Sequence, residues 1–216
     1  MEFREATLAM ITYEALLDQN LDWALNEGSM HFEGNNAVHK TLRGITARLE
    51  ELNVDYAIAG GMALFFHGYR RFTEDVNVLV TPTGLATIHE RLEGRGYIRP
   101  FEKSKNLRDA ETRVKIDFLV TGQFPGDGKP GPVSFPTPSD VAVERDGVRV
   151  VDLPAIIQLK LASGKDPGRM KDLADVQELI RTLQIPRDFE EKLDPSLRES
   201  FASIWQSAQR GQTDEF

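Results

Sequence analysis

The chain has 216 residues, with 26 Lys and Arg against 34 Asp and Glu, so its formal net charge is −8. Hydrophobic residues make up 40% and charged residues 28%, which excludes a disordered or collagen-like chain. The absence of cysteine excludes disulfides, Cys-ligated zinc, iron–sulfur clusters and thiol catalysis, and the acidic balance speaks against broad nonspecific DNA binding.

In chain order, Leu8, Ile11, Ala15, Leu16 and Trp23 fall near helical spacing, so one helix is expected up to Gly28. Asn36 is placed to cap a second helix, in which Val38, Leu42, Ile45 and Leu49 recur at i, i+4, i+7 and i+11. Val54 to Ala59 reads as a short strand that enters Gly60-Gly61 and then a short helix over Met62 to Phe66. Asp75 to Val80 is β-branched and mostly apolar, a buried strand. Thr81 as cap and Pro82 at the first helical position open a helix carrying Leu85, Ile88 and Leu92, ending at Gly94 or Gly96. Tyr97 to Phe101 is a short strand. Arg113 to Val120 is another, with Val114, Ile116, Phe118 and Val120 alternating onto one face. Residues 121–140 read as a long loop, and Val141 to Val151 as a hairpin around Asp146-Gly147. Three helices follow over 153–163, 168–183 and 195–209. The order predicts an α/β (α+β) fold: a mixed β-sheet flanked by helices over 36–152, a helical extension over 1–35 and a helical region over 153–216. No apolar run is long enough to cross a bilayer, and the first residues lack a basic segment followed by an apolar stretch. A cytoplasmic location away from the membrane is therefore expected.

Three features point to chemistry. Gly60-Gly61 lies between a strand and a helix, where free backbone N–H groups and close approach suit a phosphate, although such turns are common. Asp75 and Asn77 sit at i and i+2 of a strand and so share a face, a spacing that suits a hard cation such as Mg²⁺. Asp117 is again an acid in an apolar strand; it meets Asp75 and Asn77 if the two strands are neighbours, or else pairs with Arg113 or Lys115.

The run Tyr56-Ala57-Ile58-Ala59-Gly60-Gly61-Met62-Ala63-Leu64, then His67-Gly68, then Arg71-Phe72-Thr73-Glu74-Asp75-Val76-Asn77-Val78-Leu79-Val80 resembles the polymerase-β-type nucleotidyltransferase superfamily. Within it, the pattern is similar to small bacterial proteins that include the AbiEii toxin group. Arg71, Thr73, Asp75 and Asp117 fit the family pattern. Leu159-Lys160-Leu161-Ala162 and Arg169-Met170-Lys171-Asp172-Leu173-Ala174-Asp175-Val176 resemble its helical region. The resemblance implies transfer of a nucleoside monophosphate from a nucleoside triphosphate to a hydroxyl of RNA, protein or a small molecule, with Mg²⁺ or Mn²⁺. It implies Asp75, Asn77 and Asp117 as catalytic and metal-binding residues, and Gly60, Gly61, Arg71, Thr73 and Lys160 as nucleotide-binding. Candidate partners are a tRNA or protein acceptor, an antitoxin or a second copy. Asn77 departs from the pattern, because the family carries a second metal acid there, and an amide adds no negative charge. A catalytically degenerate, nucleotide- or protein-binding member of the fold is the alternative.

Other residues have plainer readings. Lys160 either touches phosphate or packs its stem while its head reaches solvent. Arg70 belongs to a charged loop or holds a triphosphate. Arg169, Lys171, Asp172 and Asp175 have the spacing of a helix-surface ion network. His31, His39 and His89 are far apart in sequence, without metal-ligand spacing, and His67 ends a helix. Lys103, Lys105, Arg108, Arg113 and Lys115 form the one basic cluster, read as a solvated hairpin or a guide for nucleic acid.

Overall fold

The computed structural model describes residues 11–210. Two helices, α1 (Tyr13–Gln19) and α2 (Leu21–Phe32), replace the single helix expected at the start. Asn20 divides them: its backbone is extended, and its side chain accepts from Trp23 N to cap α2. Gly28 does not stop α2; the turn comes at Gly34, whose φ of +79° suits glycine. Leu8, in the expected helix, lies outside the described residues.

Asn36 caps α3 (Ala37–Glu51) as expected, accepting from His39 N. β1 (Tyr56–Ala59), α4 (Gly60–Phe66) and β2 (Asp75–Val80) follow. Thr81 and Pro82 then open α5 (Pro82–Leu92). The expected strand from Tyr97 shrinks to β3 (Tyr97–Ile98), and β4 (Leu107–Asp109) is a strand that sequence reading missed. It is short and polar, and exists through its pairing with β3 and β5 (Lys115–Val120). α6 (Pro138–Val141) breaks the expected long loop. The hairpin is β6 (Ala142–Arg145) and β7 (Val148–Val151), with Asp146 and Gly147 both at positive φ, as a primed two-residue turn requires. α7 (Leu153–Ser163), α8 (Met170–Leu183) and α9 (Arg198–Arg210) complete the chain, with short 3₁₀ turns between them.

The seven strands form one mixed sheet in the order β3-β4-β5-β2-β1-β7-β6. β1 runs antiparallel to β2, whereas β2–β5 and β1–β7 are parallel. Val76, Val78, Ile116 and Phe118 are fully buried, in the period of two that places one side of each strand in the core. α3 contacts β2 and α5 contacts β5. One hydrophobic cluster runs from Tyr13 in α1 through the sheet to Ala208 in α9.

Candidate active site

The parallel pairing of β2 with β5 sets Asp75 opposite Lys115 and Asn77 opposite Asp117. Residues i and i+2 share a face, and neighbouring strands lie about 4.8 Å apart, so these four side chains occupy one square of the sheet. β1 sets Ala59 opposite Asn77, which brings Gly60-Gly61 to the edge of that square.

Close packing dictates both glycines. Gly60 has a φ of +59°, and a Cβ there would stand 2.6 Å from Asn77 Nδ2. A Cβ on Gly61 would stand 2.7 Å from Thr73 Oγ1. A side chain at either position would push the start of α4 away from the residues it covers.

Asp75 is held on both oxygens. Thr73 Oγ1 donates to its Oδ1 at 2.8 Å, and Asn77 Nδ2 donates to its Oδ2 at 2.9 Å. Asp117 is held differently. The Lys115 ammonium lies 2.8 Å from its Oδ1, off the axis of a hydrogen bond, so that buried oxygen keeps an open lone pair. Burial holds the Asp117 carboxyl above the usual carboxylate range; Lys115 pulls the other way, and the nearby Asp75 adds to the rise. Among the described residues, no group of three or more His, Asp or Glu side chains is arranged to hold a metal. The donor set here is two carboxylates and one amide. It suits one hard divalent cation, provided Asn77 turns its oxygen inward and Lys115 yields its place on Asp117.

A second set of charges lies beside the square. Arg71 grips Asp175 of α8 at two points, Nε to Oδ1 at 2.8 Å and Nη2 to Oδ2 at 3.0 Å. Lys160 of α7 donates to Asp172 Oδ1 at 2.8 Å and to Asp175 Oδ2 at 2.6 Å. Lys160 is only 8% exposed, so its head does not reach solvent. Arg169 Nε donates to Asp172 Oδ2 at 2.9 Å. Asp172 and Asp175 are buried, so the expected surface network turns inward; only Arg169–Asp172 keeps the i, i+3 helix pairing. Burial would raise the Asp172 carboxyl, but Lys160, Ser163 and Arg169 outweigh it and hold it below the usual range. Arg71 and Lys160 thus already have carboxylate partners.

A cleft of about 960 Å³ opens over the square. Its floor carries Gly60, Gly61, Asp75, Asn77 and Asp117. One wall carries Lys105, Asn106 and Gln123, and the other Lys160, Arg169 and Lys171. Sequence reading missed the first wall as a unit. Asn106 Oδ1, just before β4, accepts from Phe118 N of β5 at 3.0 Å, a link that no local pattern announces. The 121–140 segment is part of this wall. Gly122 N donates to Phe135 O and Phe135 N to Gln123 O, which folds the segment over the cleft.

The basic cluster does not form one surface. Arg108 turns to Glu14, Lys115 to Asp117 and Lys105 to Gln123. Arg70 lies over the Phe65 ring. His31 and His39, distant in sequence, pack with ring centroids 5.0 Å apart and are buried. His31 Nε2 meets Arg71 O, and His67 Nε2 meets Val151 O. Trp23 packs edge-on against Tyr13, and Trp205 Nε1 donates to Ile185 O.

No protein-family model and no curated protein matches the chain. Solved structures do. The crystal structure of ANT(2″)-Ia in complex with adenylyl-2″-tobramycin superposes with a TM-score of 0.51 at 16% identity, covering 77% of this chain and 97% of that one. The solution structure of ANT(2″)-Ia gives 0.50 at 16% identity, covering 80% of this chain and 96% of that one. A nucleotidyltransferase-like protein from Paracoccidioides brasiliensis gives 0.41 at 16% identity, over 82% of this chain and 87% of that one. At these identities the likeness concerns architecture, and it assigns this chain the nucleotidyltransferase fold.

Proposed function

We propose that the cleft binds a nucleoside triphosphate and transfers its nucleoside monophosphate to a hydroxyl acceptor. The observation that carries this reading is the β2–β5 register, which sets Asp117 beside Asn77 and Asp75 at the edge of Gly60-Gly61. The backbone of Gly60-Gly61 receives the outer phosphates, and Lys171, outside the buried ion network, adds charge at the cleft wall. The acceptor oxygen attacks the α-phosphorus, the bond to the bridging oxygen of the β-phosphate breaks, and pyrophosphate leaves. Asp117, with its open lone pair and raised pKa, takes the hydroxyl proton. Asp75, Asn77 and Asp117 are the residues to hold Mg²⁺ or Mn²⁺, which when bound screens triphosphate charge. Arg71 and Thr73 order the loop that presents Asp75, and Lys160 fixes the helical wall. The acceptor class remains RNA (tRNA included), protein or a small molecule. The similarity to the AbiEii group adds a toxin role with an antitoxin partner to this proposal, or assembly with a second copy.

One observation favours a second reading. The Asn77 amide donates to Asp75 and the Lys115 ammonium pairs with Asp117, so each acid has a partner without a metal. That arrangement suits a degenerate member of the fold that binds nucleotide or protein without transfer. Calorimetry with each of the four triphosphates, with and without Mg²⁺ or Mn²⁺, separates the readings when combined with an assay for released pyrophosphate. Metal-dependent binding lost in Asp75→Ala, with pyrophosphate release, supports the enzyme. Binding without metal and without pyrophosphate supports the degenerate reading. No binding of any triphosphate overturns both nucleotide readings.

A further inference from the structure

Helix α2 carries a bare apolar stripe away from the cleft. Leu21, Leu25 and Phe32 are 72%, 62% and 50% exposed, far more than side chains of their size need be. With Gly28 they stand at i, i+4, i+7 and i+11, within about 60° around the helix axis. A Cβ on Gly28 would meet nothing within 4 Å, so another backbone can approach closely at the middle of the stripe. The opposite face of α2 is anchored: Glu27 and His31 are buried, and Glu27 accepts from Tyr13 Oη and Ala37 N. The helix is therefore held rigidly with the stripe outward.

The charge carried by α1 and α2 themselves has one sign. Between Ile11 and His39 there are five acids and no Lys or Arg. Glu14 pairs with Arg108 and Glu27 is buried, whereas Asp18, Asp22 and Glu33 are exposed. None of these three has an ion partner among the described residues. A second copy of α2 would bring acid against acid, with no base from either helix to offset them. From this we infer that the α2 stripe is a docking surface for a basic amphipathic helix of another protein. The partner's apolar residues lie along Leu21, Leu25 and Phe32, its backbone passes over Gly28, and its Lys or Arg side chains meet Asp22 and Glu33.

The test uses the full chain and a synthetic helical peptide with leucines at the matching spacing and flanking lysines, followed by fluorescence anisotropy. The peptide binds, weakens with salt, and loses at least about tenfold in affinity to Leu25→Lys and to the pair Asp22→Lys and Glu33→Lys. A version flanked by glutamates does not bind. These positions are exposed, and circular dichroism checks that the variants remain folded. The inference is overturned if the peptide fails to bind. It is also overturned if the triple variant Leu21→Ser, Leu25→Ser, Phe32→Ser binds as well as the native chain, since general acidity then explains the result. A dimer in light scattering that this triple variant abolishes makes a second copy the occupant, and overturns the inference too.

Discussion

Asn77 donates to Asp75 through an amide nitrogen that Gly60 must leave room for, so one contact ties Asp75, the strand and the start of α4 together. Gly60→Ala forces a Cβ both into the Asn77 amide and into the left-handed region. A loss of about 2 kcal/mol is expected, read from urea denaturation. Asn77→Asp replaces a donor to Asp75 by a second negative charge, next to Asp117. The metal-free protein should become less stable, and Mg²⁺ or Mn²⁺ should bind at least about tenfold more tightly by calorimetry. An unchanged metal affinity would mean that the three side chains do not share a cation. The i, i+2 sharing of a face by Asp75 and Asn77 was legible in sequence, because strand geometry enforces it. The donor direction of the amide was not, because it depends on where Asp75 lies after the strands pair. The place of the Lys160 head, on phosphate or in solvent, was not legible for a related reason: two buried acids from α8 meet its ammonium, and only the packing of α7 on α8 brings them there.

At the scale of elements, the Arg71–Asp175 contact joins the loop before β2 to α8, and Lys160 joins α7 to the same carboxylate. Asp175→Ala leaves two cations without their shared partner in a largely buried place. The expected cost is about 3–5 kcal/mol in denaturant, less for Asp175→Asn, which keeps an oxygen there. The junction of α2 and α3 makes a pH prediction. Burial lowers His39 from 6.5 to about 4, with repulsion from His31 next in size. The unfolded chain therefore takes up this proton at higher pH than the folded one. The stability from neutral His39 is complete above the ordinary value near 6.5 and is lost as pH falls toward about 4. The urea midpoint should drop over that window, and His39→Gln should flatten the drop; an equal drop in the variant would place its cause elsewhere. Most elements were legible because caps and turns are local: Asn36, Thr81-Pro82 and Asp146-Gly147 all act as read. β4 was not, because three residues carry too little periodicity and the strand exists through its pairing with β3 and β5.

For the whole molecule, a single hydrophobic cluster reaches both helical ends, and the ion network joins the loop before β2 to α7 and α8. The chain should unfold in one cooperative transition. Trp23 in α2 and Trp205 in α9 report on opposite ends, and single Trp→Phe variants should give the same melting curve by fluorescence. Two separated curves would mean that the C-terminal helices unfold on their own. The sequence alone determined the alternation of helix and strand, the mixed α/β class and the three polar positions in apolar strands, since each depends on a period of two or 3.6 and on nearby capping residues. The tertiary structure decided the rest. It set β5 beside β2 in parallel, which put Asp117 next to Asn77, and it turned Lys115 onto Asp117 and folded the 121–140 segment into a wall. These outcomes depend on strand order and on which charges are buried together, and no local pattern encodes either.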